Sequence, residues 1–154
     1  MPDTKKKPGK PRSGGETSGK FSDFEIEAMK ERANELKSAK RRGSADAEAD
    51  VLAKFAEMPE ADRVLAEGIH EIIKATVPEL TPRTWYGMPA YAKDGKVLCF
   101  FTSADKFKAR YATFGFSEEA MLDDGTMWPT GWGITKLTPE NRKMIAALVK
   151  KAAG

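Results

Sequence analysis

The chain has 154 residues, with 26 Lys and Arg against 23 Asp and Glu for a formal charge of +3, and it is 40% hydrophobic and 32% charged. That size fits one modest domain with appendages, and the absence of any apolar run near the roughly 20 residues that cross a bilayer excludes a helical membrane protein. The single cysteine, Cys99, has no intramolecular partner and the first residues lack the apolar core of a secretory signal, so the expectation is a reduced, cytoplasmic protein.

In chain order, residues 1–20 come first, with six basic residues against Asp3 and Glu16, a net of +4 that leaves −1 for the remaining 134. With three prolines, four glycines and no apolar side chain after Met1, this segment cannot bury enough surface to offset its ordering entropy and reads as a disordered tail. Residues 21–45 read as a solvated helical extension and hinge. Ser22 caps a helix and Glu25 reaches back to it. Ile26, Met29, Ala33 and Leu36 then form a narrow stripe among charges that pair at i,i+4. Such a helix is expected to dock loosely, if at all, and Arg41, Arg42, Gly43 and Ser44 supply its stop.

The compact domain is expected over residues 46–154. Ala47 to Met58 reads as a short helix with Val51, Leu52 and Phe55 on one side, ended by Pro59. From Glu60 to Val77 the residues Leu65, Ile69, Ile72, Ile73 and Thr76 fall in one arc. Glu60, Arg63, Glu67, His70, Glu71 and Lys74 occupy the opposite arc, which is the strongest amphipathic pattern in the chain. An aromatic, turn-punctuated stretch follows. It predicts strands at about Arg83–Ala92, Lys96–Thr102, Lys108–Phe116 and Trp132–Leu137, with Asp94-Gly95 as a hairpin turn. A short helix is expected after Ser117 and a turn at Asp123-Asp124-Gly125. Thr138 and Pro139 open a last helix with Met144, Ile145, Leu148 and Ala152 as its stripe. Two apolar helical stripes and one meander fit an α+β two-layer sandwich. In it an antiparallel sheet of about four to six strands carries the N- and C-terminal helices on one face and leaves the other partly open.

Catalysis draws little support from these residues. The only imidazole, His70, sits on the polar arc of a helix, Cys99 lies in an apolar strand where burial keeps a thiol unreactive, and no phosphate-loop or nucleophile-elbow sequence occurs. The expectation is a protein without enzymatic activity. Glu67, His70 and Glu71 offer oxygen and nitrogen ligands on one helix, a set that iron accepts. The plainer reading is a solvated face on which Arg63 and Lys74 pair with these acids. Asp123 and Asp124 more simply bond their own turn. Trp85, Tyr86, Met88 and Tyr91, with Trp128 and Trp132, could line a pocket or present a surface to a protein partner or small ligand, against plain core packing. Gly87 within that run suggests a bulge or close backbone approach. Lys5, Lys6, Lys7, Lys10 and Arg12 could contact nucleic acid, but weakly, nonspecifically and in a salt-sensitive way; a solubilising terminus is the simpler role.

The runs R-T-W-Y-G-M-P-A-Y (Arg83 to Tyr91), D-G-K-V-L-C-F-F (Asp94 to Phe101) and Y-A-T-F-G-F (Tyr111 to Phe116) resemble the YdhG-like family, also called the DUF1801 domain. The resemblance covers about residues 50–153. It implies a frataxin-like fold with helices on one side of an antiparallel sheet. It also implies, for some members, an intracellular iron chaperone that holds iron weakly on an acidic helix edge and meets its acceptor through the open sheet. Carried onto this chain, the edge is Glu60, Glu67 and Glu71, and the partner surface lies around Trp85 and Tyr86. Arg63 and Lys74 depart from a continuous acidic ridge.

Overall fold

Pro59 and Pro78 bracket the strongest amphipathic segment, and the structure, a computed structural model, shows its helix ending just inside Pro78. The structure describes residues 22–39 and 44–154. The basic tail with Lys5, Lys6, Lys7, Lys10 and Arg12, the expected stop at Arg41 to Gly43, and the Leu36 side chain lie outside what is described. The elements are α1 (Asp23–Ala39), α2 (Ser44–Glu57), α3 (Glu60–Thr76), β1 (Thr81–Trp85), β2 (Met88–Lys93), β3 (Lys96–Thr102), β4 (Ala112–Phe116), β5 (Gly131–Ile134) and α4 (Pro139–Ala153). None of the described helices is long and apolar enough to cross a membrane. The expected caps form: Ser22 N–H donates to Glu25 Oε1 at 3.0 Å, and Thr138 Oγ1 accepts from the Asn141 N–H at 3.0 Å.

The five strands run antiparallel in chain order. Tyr91 stands opposite Cys99, Cys99 opposite Phe116, Phe101 opposite Phe114 and Phe114 opposite Trp132. Residues opposite one another share a face and neighbours along a strand alternate, so these side chains line one face of the sheet. They join Val51 and Phe55 of α2, Leu65, Ile69 and Ile73 of α3, and Ile145 and Val149 of α4 in a single core. Three helices therefore cover one face, and α3 and α4 also touch each other. The reverse face carries Arg83, Ala90, Phe100, Gly115 and Gly131 in one row. There the Phe100 ring lies directly over Gly115, where an added Cβ would come within 2.7 Å of it. Trp85 and Phe100 remain partly exposed on that side. The α+β two-layer sandwich expected from the patterning is the observed fold.

Several local expectations are corrected. Arg83–Ala92 is not one strand but a hairpin, because Tyr86 (φ 55°) and Gly87 (φ 77°) both take positive φ. That pair is the signature of a two-residue I′ turn, so Gly87 closes a turn and is not a bulge. The hairpin at Asp94-Gly95 (φ 50° and 83°) forms as predicted. No helix follows Ser117. Its hydroxyl donates to Val97 O at 2.5 Å and its N–H to Leu98 O at 2.9 Å, which binds the segment to β3 as turns. Lys108 takes φ 54° in the preceding loop, so β4 starts only at Ala112, and β5 stops at Ile134, short of Leu137.

The largest correction concerns α1. Its expected stripe is not what docks: Ile26 and Met29 are each 40% exposed, whereas Ala28 is buried. An edge-on contact of Phe24 with Phe107, ring centroids 6.0 Å apart, and a set of polar contacts hold it instead. Both Glu35 carboxylate oxygens accept from the turn amides of Tyr86 and Gly87 at 2.9 Å. Glu31 accepts from Lys54 of α2 at 2.7 Å and from Lys106 of the β3–β4 loop at 2.5 Å. The helix lies across the end of the sandwich where β1 turns into β2. A tight turn with both central residues at positive φ aims adjacent N–H groups outward, and a carboxylate satisfies them.

Candidate functional site

His70 is not on a solvated surface. It is 7% exposed, because α2 packs against the flank of α3 that the amphipathic arc left polar; the Phe55 ring meets the imidazole at 5.4 Å. Its Nε2 lies 3.0 Å from Glu48 Oε2, and its Nδ1 lies 2.9 Å from the Tyr91 hydroxyl. The carboxylate can only accept, so Nε2 carries the hydrogen, and Nδ1 shares its hydrogen bond with the Tyr91 hydroxyl. Lys74 Nζ also donates to Glu48, at 2.7 Å. The Lys74 ammonium foremost holds the Glu48 carboxyl below its ordinary range against the opposing effect of burial, and the His70 hydrogen bond adds to it.

A carboxylate, an imidazole and a hydroxyl in line resemble the arrangement that activates a nucleophile. Here the last group is a phenol 1% exposed, in register with buried Cys99. Burial pushes both the phenol and the thiol well up, which keeps them protonated and inert. The line therefore works as a strut that joins α2, α3 and β2 with every partner satisfied.

This placement separates the expected iron ligands. Glu60, Glu67 and Glu71 are exposed, while His70 is turned to Glu48 and Tyr91. Among the described residues no group of three or more His, Cys, Asp or Glu is disposed to hold a metal ion. The aromatic set is divided as well. Tyr91 belongs to the core. Met88 is buried beside the Thr102 hydroxyl, 3.2 Å from its sulfur. Trp85 stacks against Phe100 on the reverse face, with ring centroids 5.3 Å apart, and Tyr86 lies beneath the Arg32 guanidinium at 5.4 Å. Trp128 and Trp132 are half-buried against the core at the far end of the sheet.

Of these, Trp132 lines a cavity. Between the edge strand β5 and α4 lies a groove of about 320 Å³ whose apolar lining includes Phe114, Trp132, Met144, Ile145 and Leu148. Thr135, Lys136, Thr138 and Asn141 supply its polar side. The local sequence explains both parts. Trp132 and Ile134 alternate with glycines, so both side chains face α4, and the Thr138 cap fixes where α4 starts. Asn141 Nδ2 donates to the Lys136 carbonyl at 2.8 Å, which pins the connecting loop beside the opening. Volumes of about 300–1,000 Å³ with apolar walls and a few placed polar groups are typical of small-molecule sites. Trp132 was legible as a candidate; Lys136 and Met144 were not, because only the crossing of β5 by α4 brings them to the same opening.

Compared with protein-family models, curated proteins and solved structures, the chain matches none.

Proposed function

We propose that this chain is a small, non-enzymatic, cytoplasmic binding protein of the YdhG type, and that it takes a small ligand with an apolar body and an anionic end into the groove between β5 and α4. The groove is the observation that carries this reading: apolar walls from Trp132, Met144 and Leu148 beside a cation, Lys136. The burial of His70 and Cys99 and their inert surroundings support a binding role over a catalytic one. The free thiol of Cys99 accords with a reducing compartment. Iron as cargo would rest on Glu60, Glu67 and Glu71 without an imidazole, which favours the groove as the site.

The test uses 1-anilinonaphthalene-8-sulfonate, a probe with an apolar body and one negative end. Titration into the folded protein should give saturable binding with quenching of tryptophan emission. Met144→Arg, which fills the opening from an exposed position, should abolish it, and Lys136→Glu should weaken it about tenfold at low salt. Absence of saturable uptake by the wild-type protein, or uptake indifferent to both substitutions, would refute the reading.

A further inference from the structure

The contact that holds α1 has the composition of a ligand site. Two amides of one turn and two ammonium groups from separate elements converge on two carboxylates spaced one helical turn apart. Glu35 receives the Tyr86 and Gly87 N–H groups, one on each oxygen, at 2.9 Å. Glu31 receives Lys54 and Lys106. Burial works against the charge of Glu31, yet the Lys106 and Lys54 hydrogen bonds outweigh it and hold its carboxyl below the ordinary range. The receiving groups belong to α2, the β1–β2 turn and the β3–β4 loop, all placed by the core and not by α1. Gly87 completes the cradle, since a Cβ there would sit 2.1 Å from Glu31 Oε1.

The occupant fits the cradle imperfectly. Of the apolar side chains described on α1, Ala28 is buried and Phe24 meets the Phe107 ring edge-on at 6.0 Å, while Ile26 and Met29 are each 40% exposed. Its Arg32 Nη1 is buried with no hydrogen-bond partner among the described residues, 3.8 Å from Glu35. That unmatched donor opposes docking while the same guanidinium lies over the Tyr86 ring, and a helix without an arginine there forgoes both. From this juxtaposition we propose that the Tyr86–Gly87 turn with Lys54 and Lys106 is a receptor for an acidic helix of a partner protein, one presenting glutamates at i and i+4. In the resting chain α1 occupies it as an internal stand-in. This site lies at the opposite end of the sheet from the β5–α4 groove and does not depend on it.

The experiment uses the full chain and, as probe, a fluorescein-labelled, acetylated peptide of residues 22–39, read by anisotropy. The variant Glu31→Ala/Glu35→Ala, whose own α1 has lost both anchors, should bind the peptide at least tenfold more tightly than the wild-type chain. Adding Lys106→Glu to that variant should remove binding, as should Gln at both positions of the peptide. An unrelated alanine-rich helix with glutamates at i and i+4 should compete. Equal binding by variant and wild type, indifference to Lys106→Glu, or failure of the unrelated helix to compete would overturn the proposal. Should the triple variant not fold, Glu35→Gln alone decides through amide hydrogen exchange. Faster exchange at Tyr86 and Gly87, with β3 unchanged, supports a separable occupant; unchanged exchange at the turn overturns it.

Discussion

Each end of the sheet is an antiparallel strand pair, closed at the β1 end by the two-residue Tyr86–Gly87 turn and at the β5 end by residues 117–130, and the two are treated oppositely. At the β1 end, α2 packs on β1 and β2, α1 crosses the turn, and both turn amides find a carboxylate. At the β5 end a four-residue strand with two glycines meets α4 across a groove that its side chains do not fill. Closure at the first end relies on a fully buried ring, Phe55, together with polar struts reaching from α1 and α2. The second end has apolar residues of comparable size but, among the described residues, no further element over them. The space between β5 and α4 therefore follows from how the described helices pack on the two ends, and not from the hydrophobicity of the strands.

Substitutions can break this contrast. Phe55→Ala empties a site that is 2% exposed and should cost about 3–5 kcal/mol in urea denaturation. Trp132→Ala removes a half-buried ring and should cost only about 1–2 kcal/mol. Equal losses would mean that the β5 end is as much core as the β1 end. Next in size is Tyr91→Phe, which deprives buried His70 Nδ1 of its hydrogen-bond partner and should cost about 1–3 kcal/mol; a shifted His70 ring-nitrogen resonance would report the broken strut.

Acidity sharpens the contrast further. Glu31 and Glu48 have folded carboxyls below the ordinary value of 4.5. The stability they confer is thus present above about pH 4.5 and is lost as pH falls through their lower folded values. Lys54 behaves in the opposite sense. Burial lowers its affinity for a proton, but the Glu31 hydrogen bond more than offsets that and raises it above 10.5, so its contribution is complete below that value and fades as pH rises beyond. Amide exchange followed from pH 7 to 3 should therefore show α1 and α2 loosening before β5 and α4. The smallest effect is expected from Glu35→Gln, under about 1 kcal/mol in global stability, visible mainly as faster exchange at Tyr86 and Gly87.

Much of the fold was legible because its signals are local. The period of Leu65, Ile69, Ile72 and Ile73 fixes the buried side of α3, Thr138 and Pro139 fix the start of α4, and Asp94-Gly95 fixes a hairpin. The Tyr86-Gly87 turn escaped notice because tyrosine rarely takes positive φ, and large rings on both sides mimic a continuous strand. His70 was misplaced for a different reason. A helical arc marks which side meets the main core, but not whether a second helix will cover the flank.

The candidate site was less legible than the fold. Trp132 stood out as a large ring near glycines, yet Lys136 and Met144 carry no signal of their own. Glu31, Glu35 and Glu48 looked like ordinary surface charge, because a carboxylate and its partner more than twenty residues away share no sequence pattern.

The amino-acid order alone determined most of the elements, the single antiparallel layer and the face that is greasy, since propensity and periodicity act over a few residues. Tertiary structure decided which polar groups are buried, how α1 is held and where a cavity remains. Those outcomes depend on distances between segments far apart in the chain, which are set only when the helices come to rest on the sheet.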